Sequence, residues 1–275
     1  MLLLVDLDGV VYRGSTPVPG VPALLGRCAA RGDTIVYVTN NSRWHRDEYL
    51  ARLDAMGVPV RSDLIVTAAR ATALALVADD GEPSTVMISG GPGLARELRD
   101  VGLRVVAPTA KGLAANPSVV VVGVDFALTY RRLSVAADAI RQGARFIATN
   151  RDPVYPAADG LWAGAGSMVA AIATASGREP DLVIGKPEPG LFQTAALSVG
   201  WPPERAVVVG DQLATDIVAA HRVGARSVLM LTGVTTRAQA DAATADQRPD
   251  AIAADASELE AVLARYRPVS TRASR

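Results

Sequence analysis

The chain has 275 residues, 49% hydrophobic and 20% charged, a balance that can bury a proper core and excludes disorder. Its 28 basic and 28 acidic residues cancel and no basic run stands out, which argues against a nucleic-acid footprint or an anionic-membrane patch. A single cysteine, Cys28, excludes an intramolecular disulfide and a cysteine zinc cage, and two histidines, His45 and His221, are too few for a histidine-rich metal site.

The length exceeds the usual single-domain size, so two domains or one with a large insertion are expected. In chain order, the apolar run at 2–5 breaks into Asp6-Leu7-Asp8-Gly9. It reads as a buried parallel strand whose carboxyl end opens into a crevice. Residues 33–39 are β-branched and apolar and end in Asn40-Asn41-Ser42; helical spacing follows over about 47–56. Further strands are expected at 84–89, 118–123, 145–150, 181–184, 205–209 and 227–231. Apolar β runs spaced by helices indicate parallel sheets with right-handed crossovers. Residues 267–275 are polar and basic and are expected to fray. The run at 2–5 is too short for a signal core and lacks a basic flank, and no apolar stretch is long enough to span a membrane. The expectation is a soluble, cytoplasmic protein.

Four strand ends carry polar residues: Asp6 and Asp8; Thr39 and Asn40; Lys186 in Gly185-Lys186-Pro187; and Asp211 with Asp216 after the strand at 205–209. Each alone has a plain reading as a loop or helix cap. All are expected at carboxyl ends in one sheet, where this architecture builds active sites. Lys186 stands out further, because the chain has 26 arginines and only one other lysine, Lys111. A phosphoryl group needs its oxygens countered, and catalysis on it is mostly positioning and electrostatics. Mg²⁺ suits such carboxylates, with Asp6, a carbonyl oxygen at Asp8, and Asp211 as its ligands. Thr39, Asn40 and Lys186 would clamp the remaining oxygens. A carboxylate nucleophile splits one hard displacement into two easier ones, and Asp8 could protonate the leaving group and then activate water.

The segments Asp6-Leu7-Asp8-Gly9-Val10, Val38-Thr39-Asn40-Asn41-Ser42, Gly185-Lys186-Pro187 and Gly210-Asp211 with Thr215-Asp216-Ile217 resemble the four signature motifs of the haloacid dehalogenase superfamily. Thr39-Asn40-Asn41-Ser42, Ala148-Thr149-Asn150-Arg151-Asp152 and Gly164-Ala165-Gly166-Ser167 are similar to one branch, the 4-nitrophenylphosphatase and pyridoxal-phosphate-phosphatase-like class IIA proteins. The resemblance implies a Rossmann-like α/β core at 1–72 and 181–275 and an inserted α/β cap at 73–180. It implies Asp6 as nucleophile, Asp8 as general acid and base, Thr39 and Lys186 as phosphate ligands, Asp211 as a Mg²⁺ ligand and Asp216 as a supporting acid. Asn40, Asn41, Asn150 and Asp152 are the remaining candidate substrate contacts. Bulky Trp44 and His45, Ala163 and Ala214 depart from the branch pattern, away from the expected chemistry.

The expected activity is a Mg²⁺-dependent phosphomonoesterase working through an aspartyl-phosphate. A large cap over a small crevice excludes macromolecules, leaving a polyol phosphate, phosphoglycolate, sugar phosphate, nucleotide or pyridoxal phosphate as substrate. A homodimer is left open. A non-catalytic phosphometabolite sensor is the alternative, and it would be favoured by loss of Asp6, Asp8, Lys186 or Asp211, all of which are present. A dehalogenase would need no acid at Asp8. A receiver domain would be smaller, with its phosphorylated acid on a middle strand. A P-type pump would need Thr in place of Asp8, and membrane helices. A dinucleotide-binding loop fails because Gly91-Pro92-Gly93 lacks the final glycine of that motif.

Overall fold

The structure is a computed structural model and describes residues 1–78, 85–157 and 159–267. Ser84 and residues 268–275, to which a strand start and a fraying tail were assigned from sequence, lie outside the described residues.

Leu2–Asp6 is buried on both faces, as an apolar run inside a parallel sheet must be. It lies inside a six-stranded sheet with the order Ala251–Ala253, Arg226–Met230, Ala206–Gly210, Leu2–Asp6, Thr34–Thr39, Ile65–Thr67. Every pairing in it is parallel. The chain first builds outward from Leu2–Asp6 on one side and later returns to build on the other. Leu2–Asp6 is therefore the topological switch point, where a crevice forms beyond the strand ends.

A second parallel sheet has the order Leu182–Val183, Arg145–Ala148, Val119–Val122, Thr85–Ser89, Arg104–Val106. One sequence expectation is corrected here. The strand before Lys186 does not belong to the sheet of Asp6: Leu182 and Val183 pair with Ile147 and Ala148 of the second sheet. It also lies beyond the boundary expected at residue 181. Apolar character predicts a strand but not which sheet accepts it. The strands Ile65–Thr67, Arg104–Val106 and Ala251–Ala253, each of three residues, were too short to show a period. The antiparallel hairpin of Val154–Ala157 with Gly160–Ala163 was also missed, since its residues are largely exposed and carry no core pattern.

The two sheets share apolar packing. Leu2, Leu4, Val36 and Val38 of the first belong to one buried cluster with Val86, Ile88, Val119 and Ile147 of the second, joined through helices Ala68–Ala78 and Gly190–Leu197. Leu3 and Val5 face the opposite side, against Val21–Ala30 and Ala256–Tyr266. Helices Tyr130–Arg141 and Ala165–Ser176 cover the far side of the second sheet.

A polar seam adds to this contact. His45 caps the helix Arg46–Ala55 in a reciprocal capping box with Glu48. Its Nδ1 accepts the Asp47 N–H at 3.2 Å and its Nε2 meets Asp100 at 3.0 Å. Arg46 pairs with fully buried Glu97 and with Asp100, both on helix Pro92–Asp100. Against a burial that pushes it up, His45 and Arg46 hold the Asp100 carboxyl below the ordinary carboxylate range. The Ser62 hydroxyl, with help from His45 and Arg96, does the same to Asp47. A depressed folded value means that the seam's contribution is present at neutral pH and lost as the pH falls through that value. Melting curves of wild type and Asp100→Asn are therefore expected to converge below a pH of about 4. A gap between them that is constant with pH would contradict this.

Candidate active site

The strand ends converge. Asp6 closes the central strand, and its Oδ1 receives the Lys186 ammonium at 2.5 Å. The same ammonium donates to Asp216 Oδ1 at 2.6 Å. Asp216 sits on a π-helical turn, Leu213–Ile217, and its Oδ2 accepts the Gln212 N–H at 3.1 Å. Such turns are frequent at functional sites because they re-aim one side chain. Lys186, Asp6, Asp211 and Asp216 are all buried. Burial, reinforced by Asp216 and Asp211, pushes the Asp6 carboxyl well above its ordinary range against the pull of Lys186. Burial lowers the affinity of Lys186 for its proton, but Asp216 and Asp6 outweigh it and hold the ammonium above an ordinary lysine. The lysine is a fixed positive charge.

Asp211 is held by a loop that sequence reasoning missed. Val234 N–H donates to its Oδ2 at 2.7 Å, Thr235 N–H to its backbone oxygen at 3.3 Å, and Thr232 Oγ1 to the Gly9 carbonyl at 2.6 Å. Gly233 is required there: a Cβ would lie 1.9 Å from Asp211 Oδ2. The signal was available, since Thr232-Gly233 directly follows the strand read at 227–231. Asp211 Oδ1 is buried with no hydrogen-bond partner. An orphaned carboxylate oxygen in a buried site is costly without a cation. Burial and then Asp216 push Asp211 up to about 7. Carboxylate oxygens of Asp6, Asp211 and Asp216 lie within 4.8 Å of one another. Three such acids against one lysine leave room for a hard, oxygen-liganded divalent cation, and this donor set fits one.

Asp8 lies on the tight turn after the strand, where Gly9 N–H bonds the Tyr12 carbonyl at 2.7 Å. Its side chain is exposed at the mouth. Burial of part of it raises the carboxyl, opposed first by Arg52. Thr39 ends the neighbouring strand, and its hydroxyl accepts the Asn41 N–H at 3.2 Å. Asn41 Oδ1 in turn accepts the Arg43 N–H at 2.9 Å.

The remaining three sequence-predicted contacts face one another. Asn40 spends its side chain on Lys186 and Asp152, with its Oδ1 accepting the Lys186 N–H at 2.8 Å and its Nδ2 donating to the Lys186 carbonyl at 2.9 Å. Nδ2 also donates to Asp152 Oδ1 and Oδ2 at 3.0 and 3.1 Å. Asn150 donates to the Asn40 carbonyl at 2.7 Å and accepts the Asp152 N–H at 3.0 Å.

Residues 3–104 match the haloacid dehalogenase-like hydrolase family and residues 183–259 the HAD-hydrolase-like family. Human chronophin is 38% identical over 259 residues, which cover 91% of this chain and 87% of chronophin. The chain belongs to the haloacid dehalogenase-like hydrolases. Among solved structures of such hydrolases, the p-nitrophenyl phosphatase from Archaeoglobus fulgidus superposes with a TM-score of 0.86 at 33% identity, covering 95% of this chain and 98% of that one. A glycerol phosphate phosphatase from Mycobacterium tuberculosis, solved in complex with magnesium, gives 0.85 at 37% identity, covering 94% and 75%. Within the haloacid dehalogenase-like hydrolases these names fall in the class IIA branch.

Beside the site, Trp44, Glu48, Tyr49 and Arg52 line a cavity of about 270 Å³. Arg43 lies 4.0 Å from the Phe126 ring centroid and 4.8 Å from that of Trp44. Phe126 packs on Tyr155 and Trp162 of the exposed hairpin. A larger hollow of about 700 Å³ lies between helices Ala68–Ala78 and Gly190–Leu197, and none of the strand-end acids lines it. No described helix is long and apolar enough to cross a membrane.

Proposed function

We propose that the chain is a magnesium-dependent phosphomonoesterase that hydrolyses a small phosphorylated metabolite through an aspartyl-phosphate on Asp6. The orphaned Asp211 oxygen, beside an Asp6 already paired with a lysine, carries this reading. It is joined by the phosphatase relatives, whose names include 4-nitrophenyl and glycerol phosphates. A sensor would not need Asp8 at the mouth beside such a pair.

The residues divide the work as follows. Asp6 attacks phosphorus and expels the leaving alkoxide, which takes a proton from Asp8. Partial burial raises the Asp8 carboxyl, in the direction that favours holding a proton. Asp8, now a carboxylate, removes a proton from water as it attacks the acyl phosphate, returning Asp6 and releasing orthophosphate. General acid–base help of this kind is worth roughly 10²–10⁴ in rate. Lys186 aligns Asp6, and together with Thr39 it counters the charge on the phosphoryl oxygens. Asp6, Asp211 and the backbone carbonyl of Asp8 would hold Mg²⁺, which would supply charge neutralisation at the phosphoryl group. Asp216 supports the cluster through Lys186. We assign the core to 1–72 and 181–275 and the cap to 73–180, with the strand at 182–183 shared in function by both.

Phosphate release from 4-nitrophenyl phosphate and from a panel of phosphorylated metabolites tests this. Turnover is expected with Mg²⁺ and is expected to stop in excess chelator. Asp211→Ala is expected to raise the Mg²⁺ concentration needed for half-maximal rate. Full activity in chelator would remove the metal from the reaction, and no release from any panel member would sink the enzymatic reading.

A further inference from the structure

We propose that Asp152, an acid of the inserted segment, is a positioning residue for Lys186, acting through the side chain of Asn40. The inference rests on the phosphatase reading for its kinetic arm only. An Asn side chain offers two N–H donors and one carbonyl. Asn40 commits all of them: Oδ1 to the Lys186 N–H at 2.8 Å, and Nδ2 to the Lys186 carbonyl at 2.9 Å and to Asp152 at 3.0 Å. Its amide therefore brackets the lysine's own peptide groups, and Asp152 holds the outer edge of that bracket. Asn40 is buried, so each of these partners matters.

The chain around Lys186 is pinned to the same segment. Ile184 N–H donates to the Ala148 carbonyl at 3.1 Å and Gly185 N–H to the Thr149 carbonyl at 2.8 Å, extending the second sheet's ladder to the residue before the lysine. A Cβ on Gly185 would lie 2.7 Å from atoms of Asn150, Asn40 and Thr149 at once. Thr149 Oγ1 donates to Ser42 Oγ at 3.1 Å, and Asn150 Nδ2 to the Asn40 carbonyl at 2.7 Å. Residues 149–152 thus clip the loop after Thr39 to the backbone that aims the ammonium at Asp6. Asp152 was read from sequence as a candidate substrate contact. With both carboxylate oxygens on Asn40, its effect reaches the substrate through Lys186.

A leaving-group contact would penalise one substrate, whereas a displaced ammonium penalises all. Asp152→Ala is expected to lower kcat on 4-nitrophenyl phosphate and on an alkyl phosphate by the same factor, up to about 100-fold, with KM little changed. Asp152→Asn keeps an acceptor for Asn40 and is expected to recover much of that loss. The second readout does not depend on turnover. Since Lys111 and Lys186 are the only lysines, lysine labelled with ¹³C and ¹⁵N gives two side-chain signals. The Lys186 signal is expected to shift in Asp152→Ala while that of Lys111 stays in place. An unmoved Lys186 signal in both variants overturns the proposal, as does a kcat loss confined to one substrate or a lowered Tm with kcat intact. If Asp152→Ala does not fold, Asp152→Asn carries both readouts, with a smaller expected shift. A wild type inactive on every phosphate would refute the phosphatase reading instead, and the labelled signals would still decide whether Asp152 places Lys186.

Discussion

Asp6→Asn is expected to abolish phosphate release while the protein stays folded. The amide has the shape of the carboxylate but lacks the charge that attacks phosphorus in the proposed mechanism. Loss of a covalent nucleophile acts on the scale of about 10⁴-fold or more in kcat. Stability should move little or even rise. Asp6 sits among buried Asp216 and Asp211, and burial with their charge disfavours its ionised form. Removing one acid relieves that crowding, while Lys186 keeps its bond to Asp216. The checks are burst and steady-state turnover of 4-nitrophenyl phosphate, and a melting curve. Turnover near the wild-type rate would refute the covalent route.

Lys186→Met should cost both activity and stability. The side chains of Lys186, Asp6 and Asp216 are almost fully buried, and the ammonium serves both acids. Deleting one member of a buried charge cluster leaves the others uncompensated, at about 3–5 kcal/mol. Denaturant unfolding of the metal-free variant should show a loss of that order. Asp6→Asn on the same background should restore part of it, because one of the stranded charges is gone. A variant as stable as wild type would mean that the three groups are not held as ions.

The sequence was most legible where hydrophobic patterning and abrupt polarity coincided. Leu2-Leu3-Leu4-Val5 followed by Asp6, and Ala206-Val207-Val208-Val209 followed by Gly210-Asp211, announce both a buried strand and an acidic end. The convergence of Asp6, Lys186 and Asp211 follows from that pattern once the sheet order is known. The pairing of the strand before Lys186 with the other sheet did not, because two-residue pairing at Leu182 and Val183 leaves no periodic trace. Nor could spacing show where amides point. Asn40 and Asp152, 112 positions apart, meet only because the second sheet brings residues 149–152 onto the loop after Thr39. Trp44 and His45 depart from the branch pattern. His45 is a helix cap wedged against Asp100, while Trp44 lines the cavity beside the site.

The attachment of Leu182–Val183 to the second sheet bears on protein engineering. Inserted domains are attractive modules for exchange between related enzymes, since they can alter specificity while leaving the chemistry in place. Here a splice at residue 180 would hand the strand before Lys186 a foreign neighbour in place of Arg145–Ala148, and would separate Asn40 from its acid at 152. A chimera that imports the proposed cap but keeps this chain from residue 181 onward would inherit an unanchored lysine. Transplants of the proposed cap should therefore carry the second sheet with its strand through Val183 as one piece, and match the acid at position 152 to the asparagine at position 40.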